Sequence, residues 1–239
     1  MHRFDGWMPF LALILAPAAS AAGLQVTPIT LEIAHGDTSA VLWLANTGTA
    51  ALQAQVRVVE WTQADHEDRL DTTRDLVASP PMLEVAAGAR QLVRIVRTSG
   101  ATPGEPERSF RLLVDELPGA GTGDGQGGVQ FLMRYSVPVF IAPDQPQPAP
   151  RLQWRLRTQP PVLEVVNAGS ARAQLSEVAI VDAAGTRTVL SDGLLGYVLA
   201  GAQMRWPLPP DRPPPADARL QARINGEPLD RPITIVDAR

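Results

Sequence analysis

The 239-residue sequence contains no cysteine, which excludes a disulfide, a thiolate metal site and a cysteine nucleophile. It contains no lysine either: all 21 basic residues are arginine. A Walker-type phosphate loop, a lysine base and a Schiff base are excluded with it. Beyond the first few residues the only histidines are His35 and His66, and neither has a second histidine at ligand spacing. His66 lies in Asp65-His66-Glu67-Asp68, near Asp71, carboxylates that suit a hard cation but match no EF-hand loop. A solvated loop is the simpler reading of those charges. No Gly-x-Ser-x-Gly is present. Asp115 and Glu116 are neighbours in an extended segment, so they point to opposite faces and cannot face each other as a glycosidase pair. A net charge of −4 gives no reason to expect a nucleic-acid partner. These absences leave no expectation of an enzyme, a cofactor or a metal.

What is present is 45 % hydrophobic residues, 23 prolines and 19 glycines, with short apolar runs between turn residues. That profile favours an all-β protein. Residues 1–21 read as a secretory signal: His2 and Arg3, an apolar stretch from Trp7 to Ala16, and the small-residue site Ala19-Ser20-Ala21. Cleavage is expected near Ala21. The apolar stretch is short for a membrane span and no second one follows, so export without membrane insertion is expected, an uncleaved anchor being the rival.

Residues 22–143 carry about seven candidate strands, which suits an immunoglobulin-like sandwich. Leu24 to Ile33 reads as a strand interrupted by Pro28 and therefore at an edge. Asp65 to Asp75 reads as an acidic loop. Residues 144–150 are a proline-rich, stiff linker, and 151–239 form a second, smaller all-β domain. In that domain Thr186–Leu190 and Gly193–Leu199 read as separate segments. The last two strands, Leu220–Ile224 and Ile233–Val236, read as a hairpin-like pair after Asn225-Gly226. Asn46-Thr47-Gly48 and Asn167-Ala168-Gly169 occupy similar places in the two halves, which suggests a repeated architecture.

The chain is organised around Gly127 to Pro143, read as one long strand entered from a glycine-rich loop at Gly119–Gly128. Val129, Phe131, Met133, Tyr135, Val137 and Val139 share one parity and form a nearly continuous apolar face. Pro138 places it at an edge or bulge. Such an edge aggregates unless covered, so the face is either packed in the chain's own core or meant for another protein. Self-association through it is a further expectation. Arg111, alone among Phe110-Arg111-Leu112-Leu113-Val114, falls near the distal half of this strand if the two pair antiparallel. There it could receive a terminal carboxylate, or simply snorkel. Arg94, between Val93 and Ile95, has the same two readings and the structural one suits it better. Arg134 reads as solvated.

These residues resemble the periplasmic pilus-assembly chaperones of the chaperone–usher pathway. The resemblance rests on Val26-Thr27-Pro28, Leu44-Ala45-Asn46-Thr47-Gly48, Pro80-Pro81, Phe110-Arg111-Leu112-Leu113-Val114-Asp115-Glu116-Leu117-Pro118 and Tyr135-Ser136-Val137-Pro138-Val139-Phe140. Leu152-Gln153-Trp154, Glu164-Val165-Val166-Asn167-Ala168-Gly169 and Gly193-Leu194-Leu195-Gly196-Tyr197-Val198-Leu199 continue it through the second half. The resemblance implies two immunoglobulin-like β-sandwich domains in a boomerang arrangement. It implies a donor strand, Val129, Phe131 and Met133 with Tyr135, lent to a pilus subunit (pilin) in the periplasm, and delivery of that subunit to an outer-membrane usher. In the best-known branch an arginine of the first strand and a lysine of the long strand hold the subunit's terminal carboxylate. Here the matching positions are Thr30 and Pro138. Phe110-Arg111-Leu112-Leu113 and Ser136-Val137-Pro138-Val139 look more like the archaic branch that builds Csu-type or spore-coat-like fimbriae, in which Arg111 is the candidate anchor. The alternative function is a secreted two-domain structural or adhesive module, which would cover the long strand within its own fold.

Overall fold

The computed structural model describes residues 23–98, 100, 105–118, 132–144, 148–209 and 217–236. All its elements among these residues are strands. Ten build the N-terminal sandwich: β1 (Leu24–Thr27), β2 (Leu31–Ile33), β3 (Ser39–Asn46), β4 (Leu52–Ala64), β5 (Glu67–Thr72), β6 (Leu76–Ser79), β7 (Met82–Val85), β8 (Arg90–Arg97), β9 (Arg108–Leu117) and β10 (Arg134–Ile141). One sheet has the order β1-β3-β8-β6; the other is β2-β10-β9-β4-β5, with β7 paired to the first part of β4. Alternation supplies the core: Leu42 and Leu44, Ala54 and Val56, Val93 and Ile95, Phe110, Leu112 and Val114 all point inward and are buried.

Seven candidate strands become ten because one divides at a proline and two more, β5 and β6, were not read as strands. A proline has no N–H to continue a ladder. At Pro28 the expected single strand divides: β1 pairs with β3 in one sheet, while β2 pairs parallel with β10 in the other. Both halves lie at sheet edges. Pro80 and Pro81 separate β6 from β7 in the same way. The acidic loop is also corrected. Asp65 and His66 take positive φ and turn the chain back, so that Glu67–Thr72 pairs with Ala64–Val59 as β5. All six residues of β5 are exposed, so no apolar periodicity marked it.

The second sandwich comprises β11 (Leu152–Thr158), β12 (Pro161–Asn167), β13 (Ala173–Val181), β14 (Arg187–Val198), β15 (Gln203–Pro207), β16 (Arg219–Ile224), β17 (Glu227–Pro232) and β18 (Thr234–Val236). Its sheets are β15-β12-β11-β18 and β14-β13-β16-β17. The two segments expected between 186 and 199 are one strand, bent by register shifts opposite Ser176–Ala179. The hairpin partner of β16 is β17, not the terminal segment, which crosses to pair parallel with β11. Two prolines and three charged residues around the single apolar Leu229 hid β17, an edge strand.

Asn46 and Asn167 do the same work in the two halves. Each is buried. Asn46 Nδ2 donates to the carbonyls of Ala50 (2.8 Å) and Val85 (2.9 Å), and its Oδ1 accepts from Gly48 N–H at 2.9 Å. Asn167 Nδ2 donates to Ala171 O (2.8 Å) and Val198 O (3.1 Å), and its Oδ1 accepts from Gly169 N–H at 2.9 Å. The same i, i+2 and i, i+4 contacts recur 121 positions apart in sequence, as the residue numbers give.

The domains meet through side chains of both. Trp61 and Phe140 belong to the core of the second domain rather than the first. Their rings lie 5.3 and 5.9 Å from that of Tyr197. Gln63 donates to Tyr197 O and accepts from Leu199 N–H, both at 2.9 Å. Arg172 pairs with Glu107 and Glu32 and lies 3.6 Å from the Phe140 ring centroid.

Candidate functional site

The site lies on the two faces of β10. Val137, Val139 and Ile141 are buried in the N-terminal core, and Tyr135 packs against them. The Tyr135 hydroxyl also donates to the Leu24 carbonyl. The opposite parity, Arg134, Ser136, Pro138 and Phe140, turns away from that core. Half of the expected apolar face is therefore kept at home. The stripe emerges at Met133, which is 41 % exposed, beside Leu132 at 43 %. Main-chain pairing to β9 continues there, since Glu116 N–H donates to Met133 O at 2.9 Å. Val129, Phe131 and the glycine-rich loop lie outside the described residues, as does the signal segment.

Arg111 projects from β9 in register with Pro138 of β10. It lines an interdomain cleft of about 360 Å³ together with Ile29, Thr30, Asp68, Ser136 and Tyr197. Thr30 and Pro138, the two positions singled out by the family comparison above, thus sit in the same cleft as Arg111. Its guanidinium carbon is 3.7 Å from the Trp61 ring centroid and 5.8 Å from that of Tyr197. Among the described residues it has no hydrogen bond or ion pair. Burial lowers its pKa, and the negative charge of Asp68 partly offsets this. An arginine nevertheless keeps its proton. The cleft thus holds a partly desolvated cation whose donors have no acceptor among the described residues, an arrangement suited to a carboxylate.

Arg94 is not brought to this cleft. It is an exposed residue of β8, in the other sheet. Arg134 is largely exposed as expected but is not free: it pairs with Asp115, which also accepts from Arg57 at 2.7 Å. Burial pushes the Asp115 carboxyl up, but the hydrogen bonds from Arg57 and Arg134 outweigh it and hold the pKa below the usual carboxylate value. Glu107 is the reverse case: burial raises its pKa despite the opposing pull of Arg172. Sequence reasoning missed Trp61 and Tyr197, which form the aromatic bed under Arg111. It also missed Ile29, which breaks the alternation between Pro28 and Thr30 and is left exposed on the cleft rim.

Residues 23–147, more than half of the chain, match the family described as pili and flagellar-assembly chaperone, PapD N-terminal domain. No curated protein sequence matches. Among solved structures, the complex of the chaperone CsuC with the tip subunit CsuE, from archaic chaperone–usher Csu pili of Acinetobacter baumannii, is similar with a TM-score of 0.71 and 25 % identity. The match covers 91 % of this chain and 100 % of that one. The CupB2 chaperone of Pseudomonas aeruginosa gives a TM-score of 0.64 at 18 % identity, covering 87 % of this chain and 100 % of the other. The SafB chaperone in complex with the SafA pilin, from Salmonella enterica, gives 0.61 at 18 %, covering 90 % and 97 %. Both domains share the fold of these proteins. The chain belongs to the pilus-assembly chaperones of the chaperone–usher pathway, with an archaic Csu chaperone among the structures it resembles.

Proposed function

We propose that this protein is a periplasmic chaperone that holds a pilus subunit by lending it a strand and passes it to an outer-membrane usher. The observation that carries the reading is the apolar stripe of β10, which fills the chain's own core back to Tyr135 and then presents an exposed side chain at Met133, where the backbone is still paired to β9. Val129, Phe131 and Met133 are the residues that insert into a subunit lacking a strand of its own. Tyr135, tied to Leu24, sets where the donated part begins. Each large apolar side chain buried in the client contributes roughly 1.5–3 kcal/mol, and main-chain hydrogen bonds satisfy the open edge on both sides.

Arg111 is the anchor for the client's terminal carboxylate, in place of the pair absent at Thr30 and Pro138. Export through a signal cleaved near Ala21 places the protein in the periplasm, with residues 22–143 as the donor domain, 144–150 as linker and 151–239 as the second domain. Replacing Phe131 and Met133 with Asp abolishes co-purification of a co-expressed subunit while the chaperone remains folded and soluble. Unchanged complex yield would remove strand donation.

A further inference from the structure

Two large apolar side chains are exposed on the rim of the Arg111 cleft. Ile29, in the turn between β1 and β2, is 80 % exposed, and Leu194, in β14, is 55 % exposed. They belong to different domains, yet both line the cleft that contains Arg111. Neither contributes to either hydrophobic core. Gly196 also lines the cleft, and an added Cβ there would sit 3.3 Å from the Trp206 indole. Ser136 and Thr30 also line the cleft.

The charges decide what kind of group enters. Arg111 makes no ion pair or hydrogen bond among the described residues; the other charged side chain lining the cleft is Asp68, which acts on Arg111 only through its field and is held by Gln63 Nε2 at 2.8 Å. One carboxylate can be met by Arg111, while a second would face Asp68 and be repelled. We propose that the cleft selects a partner whose free C-terminus ends in an apolar residue: the carboxylate goes to Arg111, and the last side chain lies between Ile29 and Leu194. The second domain thereby takes part in client choice instead of serving only as a support. This rests on the reading of Arg111 as the carboxylate anchor, and it adds the identity of the residue that carries the carboxylate.

The test uses the ¹⁵N-labelled mature chain and three pentapeptides: Gly-Ser-Gly-Ser-Leu as the free acid, the same peptide as the C-terminal amide, and Gly-Ser-Gly-Ser-Ser as the free acid. Binding is read from the indole N–H resonance of Trp61, which lies beneath Arg111, in titrations reaching about 10 mM because so few contacts give millimolar affinity. The leucine acid is expected to bind about tenfold more tightly than the serine acid, the value of one well-buried apolar group. The amide is expected to bind most weakly. In the Ile29→Ser/Leu194→Ser variant, whose altered side chains are exposed and so do not threaten folding, the leucine advantage disappears while acids are still preferred to the amide. Equal affinity for the two acids, both above the amide, overturns the apolar clamp and leaves the anchor standing. Equal binding of acid and amide, or no shift with any peptide, overturns both.

Discussion

Arg111 is stacked on Trp61 with its guanidinium carbon 3.7 Å from the ring centroid, and this contact places a cation with no ion pair among the described residues in the cleft between the domains. A guanidinium over an indole face gains cation–π attraction, about 2 kcal/mol when desolvated, so it can be held in place without a carboxylate. Arg111→Ala is therefore expected to leave the chaperone folded but to weaken client capture by about 10- to 100-fold, the value of a charge-assisted hydrogen-bond pair. Arg134→Ala, which removes one of two arginines from Asp115, is expected to have little effect. Quantifying subunit co-purified with each variant checks this. Equal losses would argue against a specific anchor.

Asp115 provides a pH signature. Its pKa is lowered in the folded state, so its contribution to stability is fully present above its ordinary value of 3.8 and is lost as pH falls through the lowered value. The N-terminal domain is expected to lose stability on acidification below about pH 4. Asp115→Asn should flatten that limb and lower stability at neutral pH, because Arg57 and Arg134 lose their shared partner. Urea denaturation midpoints measured across the acid range for the wild type and the variant check this.

The two buried asparagines offer a matched pair of substitutions. Asn46→Ala leaves the carbonyls of Ala50 and Val85 without their donor, and Asn167→Ala does the same to Ala171 and Val198. Each is expected to destabilise its own domain by about 2–4 kcal/mol, since buried polar groups left unpaired cost about 1–3 kcal/mol apiece. Thermal unfolding should show the first variant affecting the N-terminal transition and the second the C-terminal one. A loss under about 0.5 kcal/mol in both would mean that water replaces the amide.

Gly169 is packed against the linker. An added Cβ would fall 2.3 Å from the Ala149 carbonyl oxygen and 2.5 Å from the Arg151 nitrogen, both backbone atoms that cannot swing aside. Gly169→Ala is expected to cost about 1–3 kcal/mol and to loosen the linker. Faster proteolysis between the domains would register it.

Alternation made much of the fold legible. Leu42 and Leu44, Val93 and Ile95, and Phe110 to Val114 were readable as strands because one face of each is buried and the other is not. Where both faces are exposed, as in β5, or where prolines interrupt, as in β17, the pattern carries no signal. Pro28 was legible as an edge, but not as a point where the chain changes sheet: that choice is made by which partner, β3 or β10, has an open edge to accept the next residues. Pro138, read the same way, lies in β10, which has β2 on one side and β9 on the other. In the site, antiparallel pairing of β9 with β10 was enough to put Arg111 beside Pro138. Trp61 and Tyr197 were not legible, because their meeting depends on contact between two separately folded sheets. The apolar parity of β10 was read as a single surface, whereas the sandwich claims Tyr135, Val137 and Val139 and leaves only its upstream end.

The central claim is that Met133 belongs to the client and not to the chaperone. With no cysteine elsewhere in the chain, Met133→Cys creates a single thiol. The rate at which a maleimide labels it, in the free protein and in the purified chaperone–subunit complex, reads its burial directly. Rapid labelling of the free protein and protection in the complex is the predicted result. Equal labelling in both, or protection already in the free chain, would contradict it.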